Sequence, residues 1–367
     1  VRIAFLITEL DPGGAERALT NLACGLKQRG HDCLAVSLKP LPQQSNRTLV
    51  DRLTEHEIPV QSLNIRNPLG FLTASRKLRR LLQSEGTEIV QSFLHHANIL
   101  SARSATLASV PQRVAGYRVS DPSPWRNWLE RRHLSRWDHI VPVSEDVSID
   151  LQRRIEIDKS RISVIPNGVD LGQFADVVAT PREQLGISTD RRLLLFAGRL
   201  HPQKGLDRLL PHLPQLFTRL PEHQLLIVGD GPQRSQLEKL SAKHDLTTRI
   251  HFLGHREDLP NLMAASECLL LPSYWEGMPN VLLEAMAMGM PASCFSAHGV
   301  IQLLDTASAE QVSEIGDFKT FCNKLTDIVT TPDLALRLGA ANRSGSARYS
   351  IDSMVDSYEA VYQQLLS

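Results

Sequence analysis

Short apolar runs alternate along this chain with stretches whose apolar residues recur every three to four positions. Residues 3–7, 33–37, 88–91, 113–115, 140–143 and 162–165 read as strands. Residues 15–29, 72–82, 98–108, 125–134 and 145–154, between them, have helical spacing. The stretch 168–187 is rich in Gly, Pro and polar residues and reads as a linker. The alternation then restarts, with strands expected at 192–196, 224–228, 250–253, 269–271 and 292–295, and helices at 206–218 and 233–243. Three further helical patterns end the chain, the last over 351–366. Strand–helix alternation of this kind predicts an α/β fold with parallel sheets covered on both faces. Its recurrence predicts two doubly wound domains facing across a cleft, 1–170 and 171–349. Ligands of such sheets bind where the strands end.

Composition adds bounds. A length of 367 residues, 42% hydrophobic and 22% charged with net charge near zero, suits two globular domains and no nucleic-acid partner. No apolar run approaches the ~18 residues that a membrane span needs. Residues 1–7 are too short an apolar run for a signal peptide. The five cysteines, Cys24, Cys33, Cys268, Cys294 and Cys322, form no Cys-x-x-Cys pair. They read as small core residues of a protein in a reducing compartment, so a cytoplasmic location is expected. The Asn46-Arg47-Thr48 sequon then carries no meaning.

The neutral total hides an asymmetry. Residues 1–170 hold 23 Lys/Arg against 18 Asp/Glu, a net of +5. Much of the excess lies in Arg76, Lys77, Arg79 and Arg80, and in Arg113, Arg118, Arg126, Arg131, Arg132 and Arg136. Trp125, Trp128 and Trp137 interleave with the second group. Such a surface suits peripheral contact with anionic lipid, at the inner face of a membrane. The alternative, which the pattern favours, is a solvated helix face with Trp packed inward.

The chemistry concentrates around Glu276 and Glu284. The stretch Glu276-Gly277-Met278-Pro279-Asn280-Val281-Leu282-Leu283-Glu284 runs from an apolar strand into an apolar helix. Pro279 and Asn280 read as a helix start. Gly277 keeps the backbone low enough for a ligand to reach the amides, and a helix start suits a phosphate. Glu284, a turn on, is placed to accept hydrogen bonds from ribose hydroxyls, and Glu276 from those of a sugar ring. Two solvated acids flanking a capped helix are the ordinary alternative.

This stretch resembles the Glu-x7-Glu motif of retaining GT-B glycosyltransferases of the glycosyltransferase family 4 type. Further segments extend the resemblance in the family's order. They are Gly13-Gly14-Ala15-Glu16-Arg17, Pro166-Asn167-Gly168-Val169-Asp170, Phe196-Ala197-Gly198-Arg199-Leu200, His201-Pro202-Gln203-Lys204-Gly205 and Val228-Gly229-Asp230-Gly231-Pro232. The resemblance implies two Rossmann-like domains, an acceptor-side one at the N-terminus and a nucleotide-sugar-binding one after it. A last helix, about 350–367, crosses back onto the first domain. The implied reaction moves a sugar, with retention, from a nucleotide-diphosphate donor (a UDP-sugar over a GDP-sugar) to a glycan, lipid-linked or small-molecule acceptor. Polysaccharide or lipopolysaccharide assembly is the implied setting.

The resemblance also assigns residues. Arg199 and Lys204 match positions that hold the pyrophosphate in place of a metal, so no metal or cofactor is implied. Gly13 and Gly14 match a helix start that approaches the same phosphates. Asp230, Gly231 and the segment ending in His255 match the lining of the base and ribose pocket, where His255 or Arg256 would stack on the base. Gly277, Met278, Pro279, Asn280 and Glu284 complete the donor site, with Glu276 on the sugar. The family places a His at the end of the fourth strand, often as His-x-His. Here those positions are Gln91 and Phe93, and histidines stand at His95 and His96. His96, in His96-Ala97-Asn98, matches a variant of the family and is the first choice for a sugar contact or proton relay, with His95 second. A helix-capping His is the alternative. A second departure is His298-Gly299-Val300-Ile301-Gln302, where relatives read Gly-Gly-x-x-Glu. These departures keep open a non-catalytic nucleotide-sugar-binding module and, further off, a nucleotide-sugar epimerase.

Overall fold

The computed structural model describes residues 1–43, 46–67, 70–119, 124–155 and 157–367, except the side chains of Leu72, Pro124, Arg126, Asn127, Leu129, Leu134, Ile155, Thr306 and Ser308. It divides into two compact units, Val1–Gly168 with Ile351–Ser367, and Val169–Ser350.

The first unit carries strands β1 (Arg2–Ile7), β2 (Asp32–Ser37), β3 (Val60–Ser62), β4 (Ile89–Phe93), β5 (Gln112–Tyr117) and β6 (His139–Pro142). Its helices are α1 (Gly14–Gln28), α2 (Thr48–Glu55), α3 (Gly70–Ser84), α4 (His95–Leu107), α5 (Pro124–His133) and α6 (Glu145–Ile155). The second carries β7 (Arg192–Ala197), β8 (His223–Val228), β9 (Ile250–Gly254), β10 (Cys268–Leu271), β11 (Ala292–Phe295) and β12 (Val312–Ser313). Its helices are α7 (Leu206–Leu209), α8 (Leu213–Arg219), α9 (Arg234–Lys243), α10 (Leu259–Ala264), α11 (Asn280–Met288), α12 (Val300–Leu304), α13 (Ser308–Gln311), α14 (Phe318–Thr330) and α15 (Pro332–Ser346). Helix α16 (Ile351–Leu366) belongs to the first unit.

Among the described residues, each unit has one parallel six-stranded sheet. The orders are β3-β2-β1-β4-β5-β6 and β12-β11-β10-β7-β8-β9, the same Rossmann-like winding twice. In such an order the chain reverses its direction of winding between β1 and β4, and between β7 and β10. Loops there diverge to opposite faces and leave a crevice for ligands. Period-two alternation covers both faces. Ile3, Phe5 and Ile7 pack with Leu19 and Leu22 of α1 and Tyr358 and Tyr362 of α16, while Ala4 and Leu6 pack with Leu78 and Leu82 of α3 and Leu100 of α4.

Helix α16 lies so close to α1 that a Cβ on Gly25 would stand 2.5 Å from Val355 Cγ2. Arg29 and His31 both meet its Glu359, at 2.8 and 2.9 Å. All five cysteines are buried and unpaired. Burial pushes the Cys24 and Cys33 thiols up to about 11 and about 12.

The structure departs from the sequence pattern in instructive places. Residues 162–165 form no strand: Ser163 and Ile165 donate to Ile140 and Pro142, but Pro142 has no N–H to return, so only an isolated bridge, Ile140–Ile162, remains. The helix expected over 206–218 is cut into α7, a 3-10 turn (Leu210–His212) and α8, because Pro211 and Pro214 interrupt it. Helix α4 begins at His95, three residues before the expected start, which brings both histidines into its first turn. The short elements β3, β12, α2 and α10 went unread, as did two of the five helices that follow β11.

Candidate active site

In the second unit the site grows from neighbouring parallel strands. Strand β7 ends at Ala197, and residues 198–205 turn above it through the 3-10 segment Pro202–Lys204. Gly205 closes that turn at φ 70°, where a Cβ would also stand 2.2 Å from the Pro272 carbonyl oxygen after β10. The two loops are laced together. Tyr274 N–H donates to the Gln203 carbonyl at 2.8 Å, and Gln203 Nε2 donates to the Trp275 carbonyl at 2.7 Å. That lacing sets Lys204 Nζ against Glu276 Oε1 at 2.5 Å, with side chains only 16% and 8% exposed. Arg199, from the same turn, is exposed and pairs with no other described residue.

The loop after β8 is drawn against the loop after β7. Leu200 N–H donates to the Asp230 carbonyl at 2.9 Å, and Gln233 N–H donates back to Leu200 at 3.1 Å. A Cβ at Gly229 would lie 2.1 Å from the Gly198 oxygen, and one at Gly231 2.4 Å from the Leu200 oxygen. These glycines therefore permit two backbones to meet. The Asp230 carboxylate caps its own loop, accepting from Gly231 N–H at 2.7 Å, and reaches Arg234 at 3.4 Å. At the end of β9 His255 is exposed, while Arg256 is held bidentate by Asp258 at 2.7 and 2.8 Å.

Glu276, Gly277, Met278 and Pro279 are buried on the path into α11. Pro279 stands just before the helix with ψ 109°, and its carbonyl accepts from the Leu282 and Leu283 amides. It caps α11 from outside instead of starting it. Asn280 opens the helix and Glu284 is half-buried one turn on. Against this path lies a residue that the family pattern marks only as a departure. Gly299, at φ 75°, comes so near that a Cβ would stand 2.4 Å from the Gly277 oxygen. Its left-handed conformation was the signal, invisible without the backbone.

In the first unit Gly13 caps α1 after β1, and a Cβ there would meet the Glu16 carboxylate at 2.3 Å. Glu16 is buried in the first turn of α1, so this helix start already carries a resident anion beside Gly13 and Gly14. After β4, the neighbour of β1, Leu94 holds φ 73° and ψ 153°, a region that side-chain-bearing residues rarely enter. It leads directly to two histidines in unlike surroundings. His96 is exposed, its ring 6.4 Å from that of Phe71. His95 is mostly buried, with Nδ1 2.7 Å from Glu130 Oε1 of α5. Glu130 lies in a run read from sequence only as basic helix, and nothing local marked it.

The basic surface is smaller than its composition suggested. Arg118 is buried, bound to Asn167 Oδ1 at 2.9 Å and Tyr358 Oη at 2.5 Å, its guanidinium 4.2 Å over the Phe93 ring. Burial holds it below its ordinary value. Arg113 is tied to Asp138, and Trp137 is buried. Trp125 and Trp128 are not packed inward: they are 56% and 57% exposed, beside exposed Arg131 and Arg132. The Arg126 side chain lies outside the described residues. No helix among the described residues is long and apolar enough to cross a membrane.

Two Rossmann-like units of one strand order are the GT-B architecture, and comparisons with known proteins agree. The family model Glycosyltransferase Family 4 matches residues 12–173, and Glycosyl transferases group 1 matches residues 178–345. The chain is similar to the UDP-Gal:alpha-D-GlcNAc-diphosphoundecaprenol alpha-1,3-galactosyltransferase of Escherichia coli, 30% identical over 280 residues, 72% of each chain. It is similar to the N-acetyl-alpha-D-glucosaminyl L-malate synthase of Bacillus anthracis, 24% identical over 96% of this chain and 94% of that one. Among solved structures, Anabaena HepE in complex with UDP and glucose shares the fold with a TM-score of 0.85, at 21% identity over 99% of both chains. The chain belongs to the family 4 glycosyltransferases and is a glycosyltransferase of GT-B fold.

Proposed function

We propose that this glycosyltransferase takes its sugar from a nucleotide-diphosphate donor held by the second unit, a UDP-sugar before a GDP-sugar. The acceptor is a glycan, a lipid-linked sugar or a small hydroxyl compound, and the anomeric configuration is retained. The Lys204–Glu276 pair at the β7–β10 crevice carries this reading, because it sets a cation and a hydroxyl acceptor side by side. The Escherichia coli relative, named for transfer of galactose from UDP-Gal, supports the donor class.

As the glycosidic bond breaks, negative charge grows on the phosphate bonded to the sugar. Arg199 and Lys204 stabilise that charge, so positive charge at the diphosphate comes from side chains, with no metal or cofactor assigned. The 277–280 path and Glu284 hold the nucleotide moiety, and Glu276 accepts from sugar hydroxyls. Asp230 and Gly231 shape the neighbouring wall, and His255 is exposed beside it. In the first unit Gly13, Gly14 and His96 serve the substrate from the ends of β1 and β4. No residue here is assigned as a covalent nucleophile. The acceptor hydroxyl approaches on the leaving phosphate's face and passes its proton to that phosphate.

The test is transfer from a panel of UDP- and GDP-sugars, read by NMR of the product's anomeric proton. An α-configured product from an α-linked donor is expected, with kcat lowered about 10²–10³-fold in Arg199→Met. An inverted product would overturn the retaining course. Isomerised donor formed without acceptor would point to an epimerase.

A further inference from the structure

A second cavity opens in the second unit, in the groove between α8 and α14. Its volume is about 420 Å³, within the range of small-molecule sites. His212, Gln215 and Arg219 line one wall, and Asp317, Lys319 and Asn323 the other. None of them has a part in the transfer proposed above.

The positive charges on these walls are not cancelled. Arg219 is exposed but held: Nη1 donates to Asn323 Oδ1 at 2.7 Å, and Nη2 to the Cys322 carbonyl at 2.7 Å and to Thr326 Oγ1. All three are neutral oxygens, so the guanidinium is fixed in place with its charge intact. Its Nε–H bonds no described residue. Lys319 is exposed and forms no salt bridge with a described residue. The His212 imidazole lies flat on the Phe318 ring, 4.6 Å away at 13°, and neither of its nitrogens bonds a described residue. Asp317, the one acid in the lining, turns to the start of α14 and accepts from Thr320 N–H at 3.0 Å. Hydrogen bonds from Thr320 hold its carboxyl below its ordinary value.

A fixed guanidinium, an unpaired ammonium and an uncommitted imidazole around one small cavity fit a phosphate. The amides of Gln215 and Asn323 suit the hydroxyls of a sugar that carries it. Packed rings lead from this cavity to the catalytic loops. Phe318 stands edge-on to Phe295 at 5.1 Å, and Phe295 edge-on to Tyr274 at 5.9 Å. Tyr274 is two residues before Glu276, and its N–H bonds the Gln203 carbonyl next to Lys204. A Cβ at Gly205 would stand 3.1 Å from the same ring. Close-packed rings transmit displacement, because protein interiors compress little.

We propose that the α8–α14 groove is an effector site for a phosphorylated sugar, felt at the Lys204 and Glu276 loops through the rings of His212, Phe318, Phe295 and Tyr274.

The probes are α-D-glucose 1-phosphate, inorganic phosphate and glucose. Each is titrated into wild type, Lys319→Glu, Asp317→Asn and Arg199→Met, and binding is followed through the backbone amide NMR signals of residues 317–323. Glucose 1-phosphate is expected to bind wild type and Arg199→Met alike, more tightly than inorganic phosphate, and glucose not to bind. Lys319→Glu reverses a charge on the cavity wall and should weaken binding about tenfold or more. Asp317→Asn keeps a helix-capping side chain while removing the opposing charge, and should tighten it. Glucose 1-phosphate should also change the donor KM of wild type about fivefold, at the lower end of common couplings between sites. It should leave the KM of Lys319→Glu unchanged, a variant whose activity without the ligand matches wild type. Inorganic phosphate binding as tightly as glucose 1-phosphate overturns the sugar part of the site. Binding that Lys319→Glu leaves intact, or that Arg199→Met abolishes, overturns the site itself. Binding at α14 with donor kinetics unchanged overturns the effector role.

Discussion

Lys204 Nζ stands 2.5 Å from Glu276 Oε1, and the two side chains come from loops that follow neighbouring parallel strands, β7 and β10. Each charge is mostly buried, so each depends on the other. Removing one partner of such a pair costs about 3 kcal/mol or more, because the remaining charge loses its counter-ion, whereas replacing both by apolar groups of similar size is close to neutral. Lys204→Met and Glu276→Leu should each lower the melting temperature, and the double variant should regain most of the loss. Activity should not follow. The double variant should transfer sugar no faster than either single one, since it lacks both the cation and the hydroxyl acceptor. Additive stability losses across this cycle would show that the pair is not coupled.

Gly299 sits against the backbone of Gly277 and Met278 with no room for a side chain. Gly299→Ala must strain a left-handed backbone and push the Gly277 carbonyl, 2.4 Å from the new Cβ. The displaced segment is the one that leads into α11. A loss of about 1–3 kcal/mol in stability is expected, with weaker nucleoside-diphosphate binding measured by calorimetry. Unchanged affinity would show that the segment Gly299 supports takes no part in nucleotide binding.

The larger pattern of this molecule was legible because period-two and helical spacing are local, and β1, β2, β11 and α16 lie where the spacing put them. What escaped was set by partners far along the chain. Whether the run at 162–165 became a strand depended on an N–H that Pro142, some twenty residues earlier, does not have. Trp137 is buried while Trp125 and Trp128 are exposed, although all three interleave with arginines in one stretch. The motifs located the Lys204 and Glu276 loops, but the glycine requirement at 229 and 231 proved to be one backbone passing another. Glu130 carried no motif; only the fold brings it to His95, 35 positions earlier.

Glu267 should make the second unit acid-sensitive. It bridges the starts of two other strands, meeting Arg192 at 2.7 Å and His223 at 3.2 Å. Burial pushes its carboxyl up, but hydrogen bonds from His223 and Arg192 outweigh this and hold it below its ordinary value. A depressed carboxyl contributes its full stability above the ordinary carboxylate range and loses it as pH falls through the lowered value. Glu267→Gln should therefore be less stable than wild type by about 1–2 kcal/mol at neutral pH. The gap should close on acidification from about pH 5 towards pH 3. A gap that stays constant in thermal melts across that range would contradict the linkage.

Helix α5 offers two tryptophans and two arginines to solvent, with the Arg132 guanidinium 5.0 Å over the Trp128 ring. Exposed indoles favour the headgroup region of a bilayer, and each nearby arginine adds about 1 kcal/mol of attraction to an anionic surface. Peripheral binding at this face would present the first unit to a lipid-linked acceptor. Wild type should co-sediment with vesicles containing anionic lipid, and weakly with neutral ones. Neutralising Arg131 and Arg132 together removes about 2 kcal/mol, so affinity should fall at least tenfold, while Trp128→Ser should weaken binding to both vesicle types. Raising the salt concentration should reproduce the arginine effect and spare the tryptophan one, because screening acts on charge alone. Binding indifferent to anionic lipid, to salt and to the arginines would leave α5 an ordinary solvated helix and direct the search for the acceptor towards soluble hydroxyl compounds.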